Sequence, residues 1–308
     1  MKLIKELQDG DRLPLQALVG NVSRGTNMSG SPYLNIELRD SSGQINAKKW
    51  EIEAGDDEIF ISGNIVGVNV EIIKYRDNLQ AKIIGATKLS PEDIDVSRFV
   101  KAPPVPKAEL KARFDKMVDS VKDNDCQKLL RYFLDKYASK VYDAPAAMSV
   151  HHEFSSGLIM HSLYMAEICD FLATKYEVNR DLLITGAILH DFGKMLELEG
   201  PAVYHYSLEG KLIGHISIMS AEIKEAADKL GLNNEISLLL QHMILSHHGQ
   251  LEYGSPVLPL TSEALALHLI DNVDSKMTIL NKALDEVEVG AYTNKVFALD
   301  GRQFYKHK

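Results

Sequence analysis

The sequence predicts a multidomain protein of mixed α and β structure, with an N-terminal five-stranded β-barrel followed by an all-α domain. Apolar residues alternate with polar ones from about Leu13 to Lys88, which is the period of half-buried strands. Prolines then cluster between residues 90 and 107, where they interrupt any regular element. From Lys107 onward the apolar period is that of helices. The predicted parts are a barrel at residues 1–89, a proline-rich linker at 90–107 and a helical domain at 108–308.

The strand pattern is clearest in the middle of the predicted barrel. Leu34, Ile36 and Leu38 alternate with polar residues, and a turn rich in Asp, Ser and Gly follows at residues 40–43. Five strands within about 75 residues are typical of a small closed barrel. The segment LRDSSGQINAKKW, with its strand, turn and strand, resembles an OB-fold.

A barrel of this kind can bind single-stranded nucleic acid by stacking bases on aromatic rings beside short basic contacts. The residues of the barrel that would serve this purpose are Tyr33, Lys48, Lys49, Trp50, Tyr75 and Arg76. The residues leave an alternative open, in which Trp50 packs the barrel and the lysines only solvate its surface. A small barrel also serves as a protein-interaction module.

Composition and charge exclude several classes of protein. The 308 residues are 45% apolar and 25% charged, as in ordinary globular domains. The net charge of −9 argues against non-specific coating of nucleic acid, which needs many Lys and Arg contacts to phosphate. No apolar run approaches the ~20 residues that span a bilayer, and the N-terminus has no signal-peptide core. We therefore expect a cytoplasmic protein with no membrane segment, and we leave open whether it is a homo-oligomer.

The pair His190-Asp191 is the most informative feature of the helical half. It lies in an apolar helical segment, where burial of a carboxylate without a partner is unfavourable. A divalent metal ion is the expected partner, because ten of the 11 histidines fall between residues 151 and 268. The candidate ligands along this stretch are His161, His190, Asp191, His215, His247, His248 and Asp271.

Seven candidates are too many for one tetrahedral ion, but they suit two ions that share a carboxylate. Asp191 is the expected bridge. Imidazole and carboxylate ligands suit Mn²⁺, Co²⁺, Fe²⁺, Ni²⁺ or Zn²⁺, and Mg²⁺ is a further alternative. Two such ions can activate a water for attack on a phosphate ester. Lys194 lies on the same helical face as Asp191, so we expect it to contact phosphate, although a solvated lysine is the simpler alternative.

The sequence leaves the roles of four further residues open. His151 and His152 precede a predicted helix and could reach the site or the substrate, and His152 is included among the candidate nucleic-acid contacts. His268 comes three residues before Asp271 and could orient that carboxylate. Asp274 shares the face of Asp271, with exposure to solvent as the alternative.

The order His161, His190-Asp191, Asp271 resembles the metal pattern of the HD superfamily, and the additional histidines resemble its two-metal branch. Enzymes of that branch that act on cyclic dinucleotides carry Gly-Tyr-Pro after the double histidine, whereas this chain has Gly254-Ser255-Pro256. Together with the barrel, the whole chain is similar to the YhaM-type 3′→5′ exoribonucleases of bacteria. The segments that carry this resemblance are HHEFSSGLIMHSLYMA, ILHDFGK, YSLEGKLIGHI, MILSHHGQLEYGSPV and LHLIDNVDSKM.

The resemblance implies an exonuclease, stimulated by Mn²⁺ or Co²⁺, that releases nucleoside 5′-monophosphates from single-stranded RNA and also acts on single-stranded DNA in some members. Asp191 and Lys194 would be its catalytic residues, two divalent ions its cofactors with Mn²⁺ preferred, and a metal-activated water its nucleophile. Two alternatives stay open at this point. One is a phosphohydrolase for a cyclic or triphosphate nucleotide with a regulatory barrel, and the other is a non-catalytic adaptor that binds single strands.

Overall fold

The computed structural model describes residues 1–27, 29–76, 78–89, 94–95, 98–99, 105–144, 156–200 and 204–308. The chain divides into two compact units. One comprises Met1–Ala102 and Glu199–His205, and the other comprises Pro103–Leu198 and Tyr206–Lys308. Most of the predicted linker at residues 90–107 lies outside the described residues, as do His151 and His152.

The first unit contains a closed five-stranded barrel, as predicted. The strands are β1 (Arg12–Thr26), β2 (Pro32–Asp40), β3 (Gly43–Lys49), β4 (Ile65–Tyr75) and β5 (Asn78–Lys88). They close in the order β1-β2-β3-β5-β4, and every neighbouring pair is antiparallel except β3 and β5. A short helix, α1 (Asp56–Ile59), lies between β3 and β4.

The barrel interior follows from the period of two. In β2, the side chains of Leu34, Ile36 and Leu38 are buried, whereas their polar neighbours are more exposed. A 3-10 helix, Ile4–Glu6, precedes the barrel, and the Asp40 carboxylate accepts a hydrogen bond of 2.7 Å from the backbone N–H of Ile4. The alternating strands therefore form one continuous apolar core.

The second unit is helical, and the predicted fold class is confirmed. Its helices are α2 (Lys107–Asp119), α3 (Asn124–Lys136), α4 (Gly157–Ala173), α5 (Arg180–Leu189), α6 (Lys194–Glu197), α7 (Leu208–Leu212), α8 (His215–Leu230), α9 (Asn234–Ser246) and α10 (Ser262–Asp285). Two strands of two residues each, β6 (Leu198–Glu199) and β7 (His205–Tyr206), pair with each other and are too short to leave a period in the sequence. Glu199 and His205 of these strands belong to the first unit. Short 3-10 helices span Leu251–Tyr253 and Phe297–Leu299.

Helix α5 is the centre of this unit. Asn179 caps its N-terminus by accepting a hydrogen bond from the backbone N–H of Leu182, and every residue from Leu182 to Leu189 is buried. Helices that are apolar on all sides belong in the interior of a domain. The C-terminal end of α5 therefore brings His190 and Asp191 into the centre of the domain. Among the described residues, none of the helices combines the length and apolarity that a bilayer span requires.

Candidate metal centre and nucleic-acid interface

The seven predicted ligands come together in the helical unit, mostly at helix ends. His190 and Asp191 follow α5, His215 is the first residue of α8, and His247 and His248 follow α9. His161 lies within α4, and Asp271 lies within α10. The side chains from these five helices meet at one point. His161 and Asp271, which are 110 positions apart in the sequence, lie in contact there.

Asp191 lies between two sets of imidazoles. Its Oδ2 is 3.6 Å from Nε2 of His161 and 3.3 Å from Nε2 of His190. Its Oδ1 is 3.5 Å from Nε2 of His215 and 3.9 Å from Nε2 of His247. Each carboxylate oxygen therefore faces a different pair of histidines, which is the geometry that a bridging ligand requires.

The ligands thus form two groups that share Asp191. In the first ligand group, the ligand atoms of His161, His190 and Asp191 all lie within 4.8 Å of one another, and Asp271 Oδ1 lies 3.4 Å from His161 Nε2. In the second ligand group, the ligand atoms of His215, His247 and His248 also lie within 4.8 Å of one another.

Four of the histidines share one arrangement, in which Nδ1 is bonded away from the centre and Nε2 faces it. The Nδ1 atoms of His190 and His247 lie 2.9 Å and 2.7 Å from the backbone oxygens of Ala187 and Ile244. A carbonyl can only accept a hydrogen bond, so Nδ1 carries the proton and Nε2 keeps its lone pair. The Nδ1 atoms of His161 and His215 instead face carboxylates. Metal-binding histidines typically have this arrangement.

Several atoms of the centre are suited to coordinate a metal ion, because the described residues form no hydrogen bond with them. Asp191 Oδ1, His215 Nε2 and His247 Nε2 are buried and have no hydrogen-bond partner among the residues that the structure describes. Leaving a buried polar atom unsatisfied costs about 1–3 kcal/mol. Coordination of a divalent cation by these atoms would offset that cost, and the donor set of imidazole and carboxylate suits such a cation.

The electrostatics of the centre also favour a cation. Burial raises the pKa of Asp191, but the charges of Lys194 and the nearby histidines outweigh this effect and hold the pKa well below its usual range. Burial likewise raises the pKa of Asp271, and hydrogen bonding to His161 outweighs it in the lowering direction. Burial lowers the pKa of His161, yet Asp271 and Asp274 raise it to about 10. Asp191 and Asp271 are therefore ionised, and their negative charge would stabilise a cation bound between them and the histidines.

Lys194 lies beside the bridging residue. Its Nζ donates a hydrogen bond of 2.7 Å to Oδ2 of Asp191, and its side chain is only 14% exposed. Its position next to the ligands agrees with a role at the site. The burial of its side chain contradicts the alternative of a freely solvated lysine.

Two carboxylates contact candidate ligand histidines without having been singled out for these contacts in the sequence. Asp274 is 7% exposed, and its Oδ2 lies 2.6 Å from Nδ1 of His161, so the solvent-exposed alternative for Asp274 is wrong. Glu197 contacts His215 through its Oε1 atom, 3.1 Å from Nδ1. The position of Asp274 three residues after Asp271 was the only signal in the sequence. His268 bonds the backbone oxygen of His247 at 3.0 Å, which is a different contact from the predicted one with Asp271.

The barrel brings three of its predicted nucleic-acid contacts together. The ring centroids of Tyr33 and Trp50 lie 4.7 Å apart, and the Lys48 ammonium lies 4.7 Å and 5.0 Å from them. Trp50 is 39% exposed, so it does not serve only to pack the interior. We call Tyr33, Lys48 and Trp50 the aromatic platform. Tyr75 and Arg76 form a separate exposed pair, with the guanidinium 5.3 Å from the ring centroid.

Lys49 does not belong to this surface, contrary to the prediction. Its side chain is 2% exposed, and its ammonium lies 3.6 Å from Asp56 Oδ2 and 3.4 Å from Glu53 Oε2. The alternation of β3 buries Lys49 together with Ile45 and Ala47. His152, the remaining predicted nucleic-acid contact, lies outside the described residues.

Comparison with known proteins gives matches for both parts of the chain. Residues 158–276 match the HD domain family. The 3′-5′ exoribonuclease YhaM of Geobacillus sp. (strain WCH70) is 40% identical over 307 residues, which cover 99% of this chain and 95% of that protein.

Two solved structures each align with less than a third of the chain. The second OB-fold domain of replication protein A from Methanococcus maripaludis is 19% identical and aligns over 29% of this chain and 94% of its own, with a TM-score of 0.25. A mitochondrial single-stranded DNA binding protein from S. cerevisiae is 15% identical and aligns over 27% of this chain and 97% of its own, with a TM-score of 0.24.

Proposed function

Because this chain belongs to the YhaM 3′-5′ exoribonuclease family, we propose that it is a metal-dependent 3′→5′ exoribonuclease. Its substrate is single-stranded RNA, with single-stranded DNA as a further candidate, and its products are nucleoside 5′-monophosphates. The observation that carries the proposal is the buried carboxylate of Asp191, whose two oxygens face different groups of metal-competent imidazoles.

Two divalent ions fit the ligand set, and Mn²⁺ is our first choice. One would bind the first ligand group with Asp271, and the other would bind the second ligand group, with Asp191 shared between them. When bound, such ions lower the pKa of a water molecule and neutralise charge on a phosphate that undergoes in-line displacement. The mixture of nitrogen and oxygen ligands supports Mn²⁺, Co²⁺ or Fe²⁺ over Mg²⁺, which prefers oxygen.

The side chains of this centre orient and stabilise the reactants, and none needs to act as a nucleophile. Water attacks the phosphorus of the 3′-terminal phosphodiester, and the 3′ oxygen of the preceding nucleotide leaves. Lys194 donates one hydrogen bond to Asp191, and its ammonium has further N–H groups that can bond a phosphoryl oxygen. The hydrogen bond to Asp191 holds the Lys194 ammonium beside the two ligand groups.

An assay with a 5′-labelled, single-stranded RNA and Mn²⁺ tests this proposal. A 3′→5′ exonuclease should produce a ladder of progressively shorter labelled products together with unlabelled 5′-monophosphates. Release of a labelled mononucleotide at the outset would indicate the opposite polarity. Hydrolysis of mononucleotides or cyclic dinucleotides without shortening of the RNA would contradict the proposal and favour the small-nucleotide phosphohydrolase.

The aromatic platform is the proposed RNA-binding surface of the barrel. Stacking of a base on an aromatic side chain contributes about 1–3 kcal/mol. We therefore expect Trp50→Ala to weaken binding of single-stranded RNA by about tenfold or more and to raise KM in the nuclease assay. Fluorescence anisotropy with labelled RNA in the presence of EDTA measures the affinity without hydrolysis.

A matched control removes an aromatic ring elsewhere. Phe297 is 86% exposed and belongs to the helical unit, so Phe297→Ala should leave the RNA affinity as in the wild type. Equal RNA affinities for Trp50→Ala and the wild type would show that the platform does not bind the strand.

A further inference from the structure

Two buried carboxylates contact the metal centre without belonging to the predicted ligand set. Glu197 ends α6, and Asp274 lies near the middle of α10. Each contacts the Nδ1 atom of one histidine, and the two histidines belong to different ligand groups. This division between the groups has no counterpart in the sequence pattern.

Glu197 holds His215, a member of the second ligand group. Its Oε1 lies 3.1 Å from Nδ1 of His215 and accepts a hydrogen bond of 3.1 Å from the backbone N–H of the same residue. The backbone of Glu197 is itself fixed, because its carbonyl accepts a hydrogen bond of 2.9 Å from Ser207. Gly210 packs so closely that an added Cβ would lie 2.4 Å from that carbonyl oxygen. A rigid carboxylate therefore directs His215 Nε2 towards Asp191.

Asp274 holds His161, a member of the first ligand group. Its Oδ2 lies 2.6 Å from Nδ1 of His161, while Oδ1 of Asp271 lies 3.4 Å from Nε2 of the same ring. Asp271 and Asp274 are one turn apart on α10, so one helical face provides both contacts. The imidazole is thus oriented from its outer nitrogen and presents its inner nitrogen to the centre.

On the premise of the metal-dependent function above, we propose that Glu197 and Asp274 are positioning residues, each serving the metal ion of a different ligand group. A carboxylate that accepts the Nδ1 proton fixes the ring and makes Nε2 a stronger ligand. In each group a second histidine, His190 or His247, is held instead by a backbone carbonyl. Removal of either carboxylate should therefore weaken the binding of one metal ion and leave the binding of the other unchanged.

Titration of the metal-free, full-length chain with Mn²⁺ tests this division without any nuclease assay. Removing a partner of a metal-binding histidine typically lowers metal affinity 10–100-fold. We expect the wild type to bind two Mn²⁺, and Glu197→Ala and Asp274→Ala each to show one Mn²⁺ step of unchanged affinity and one weakened by about 10–100-fold. The double variant should be weakened in both steps. At one equivalent of Mn²⁺, the EPR spectrum of each single variant should be that of one bound Mn²⁺ ion that is not coupled to a second.

Conservative and matched variants separate positioning from folding. Glu197→Gln retains an amide oxygen that can accept both hydrogen bonds, so it should recover part of the affinity lost in Glu197→Ala. Glu209→Gln and Asp285→Asn change exposed carboxylates of the same unit and should bind Mn²⁺ as the wild type does. Circular dichroism and thermal unfolding identify any variant that fails to fold, and for such a variant the Gln or Asn form replaces Ala.

Two results would overturn the inference. One is wild-type Mn²⁺ affinity in folded Glu197→Ala and Asp274→Ala. The other is a double variant that weakens only one step, because both residues would then serve the same ion. The outcome is independent of the nuclease assay: a chain that binds two Mn²⁺ with this division but leaves RNA intact would refute the proposed function alone.

Discussion

Replacing Asp191 with alanine is expected to lower the rate of RNA hydrolysis by at least about 10³-fold, because both ligand groups lose their shared carboxylate. The loss of several kcal/mol of transition-state stabilisation, at 1.36 kcal/mol for each tenfold change, gives a factor of this size. The substitution also leaves Lys194 without its 2.7 Å partner. Imidazoles would remain as ligands on both sides, but no negative charge would lie between the two groups.

Single-turnover hydrolysis of labelled RNA and metal analysis of the same protein sample measure this effect. The Mn²⁺ content of the variant should fall together with its activity, while RNA binding to the aromatic platform should persist in EDTA. Asp285→Asn, which changes an exposed carboxylate of α10, serves as the control and should retain full activity. Substantial hydrolysis by Asp191→Ala, or an unchanged metal content, would show that Asp191 is not the bridge.

Local patterns in the sequence were sufficient to predict the fold class, and they pointed to seven candidate ligands that the structure brings close together. The barrel follows from the alternation of strands such as Leu34 to Leu38, and the buried α5 follows from a continuous apolar stretch. The candidate ligands were identified for a similar reason. His190 and Asp191 are polar residues that an apolar helix buries, and such residues require a partner wherever the rest of the chain lies.

The groups that the sequence did not reveal depend on contacts across the fold. Glu197 is one acidic residue among many until the chain brings it 3.1 Å from His215, 18 positions away. Asp274 likewise contacts His161, 113 positions away. In contrast, the burial of Lys49 was predictable, since the alternation of β3 places it on the same side as Ile45 and Ala47. Lysine side chains are usually exposed, and for that reason Lys49 was predicted to lie on the surface despite the alternation of β3.

Gly193→Ala is expected to reduce activity by about 10²-fold, although Gly193 neither binds metal nor contacts substrate in the proposed mechanism. A Cβ atom at this position would lie 2.2 Å from the backbone oxygen of His215 and 3.1 Å from its Cα. Gly193 has φ −57°, so alanine introduces no backbone strain, and the clash alone determines the effect. His215 would have to move by roughly 1 Å, and a displacement of that size at a catalytic site can cost about 10²-fold in rate.

The clash acts on one side of the metal centre, which makes its consequences specific. His215 belongs to the second ligand group, so Gly193→Ala should lower the affinity of one Mn²⁺ binding step and preserve that of the other. The same pattern is expected of Glu197→Ala. Overpacking typically destabilises a core by about 1–3 kcal/mol, so thermal unfolding should show a lower Tm in the folded variant. Gly43→Ala, where an added Cβ meets no atom within 4 Å, is the matched control. Wild-type activity and two wild-type Mn²⁺ affinities in Gly193→Ala would mean that the position of His215 does not limit catalysis.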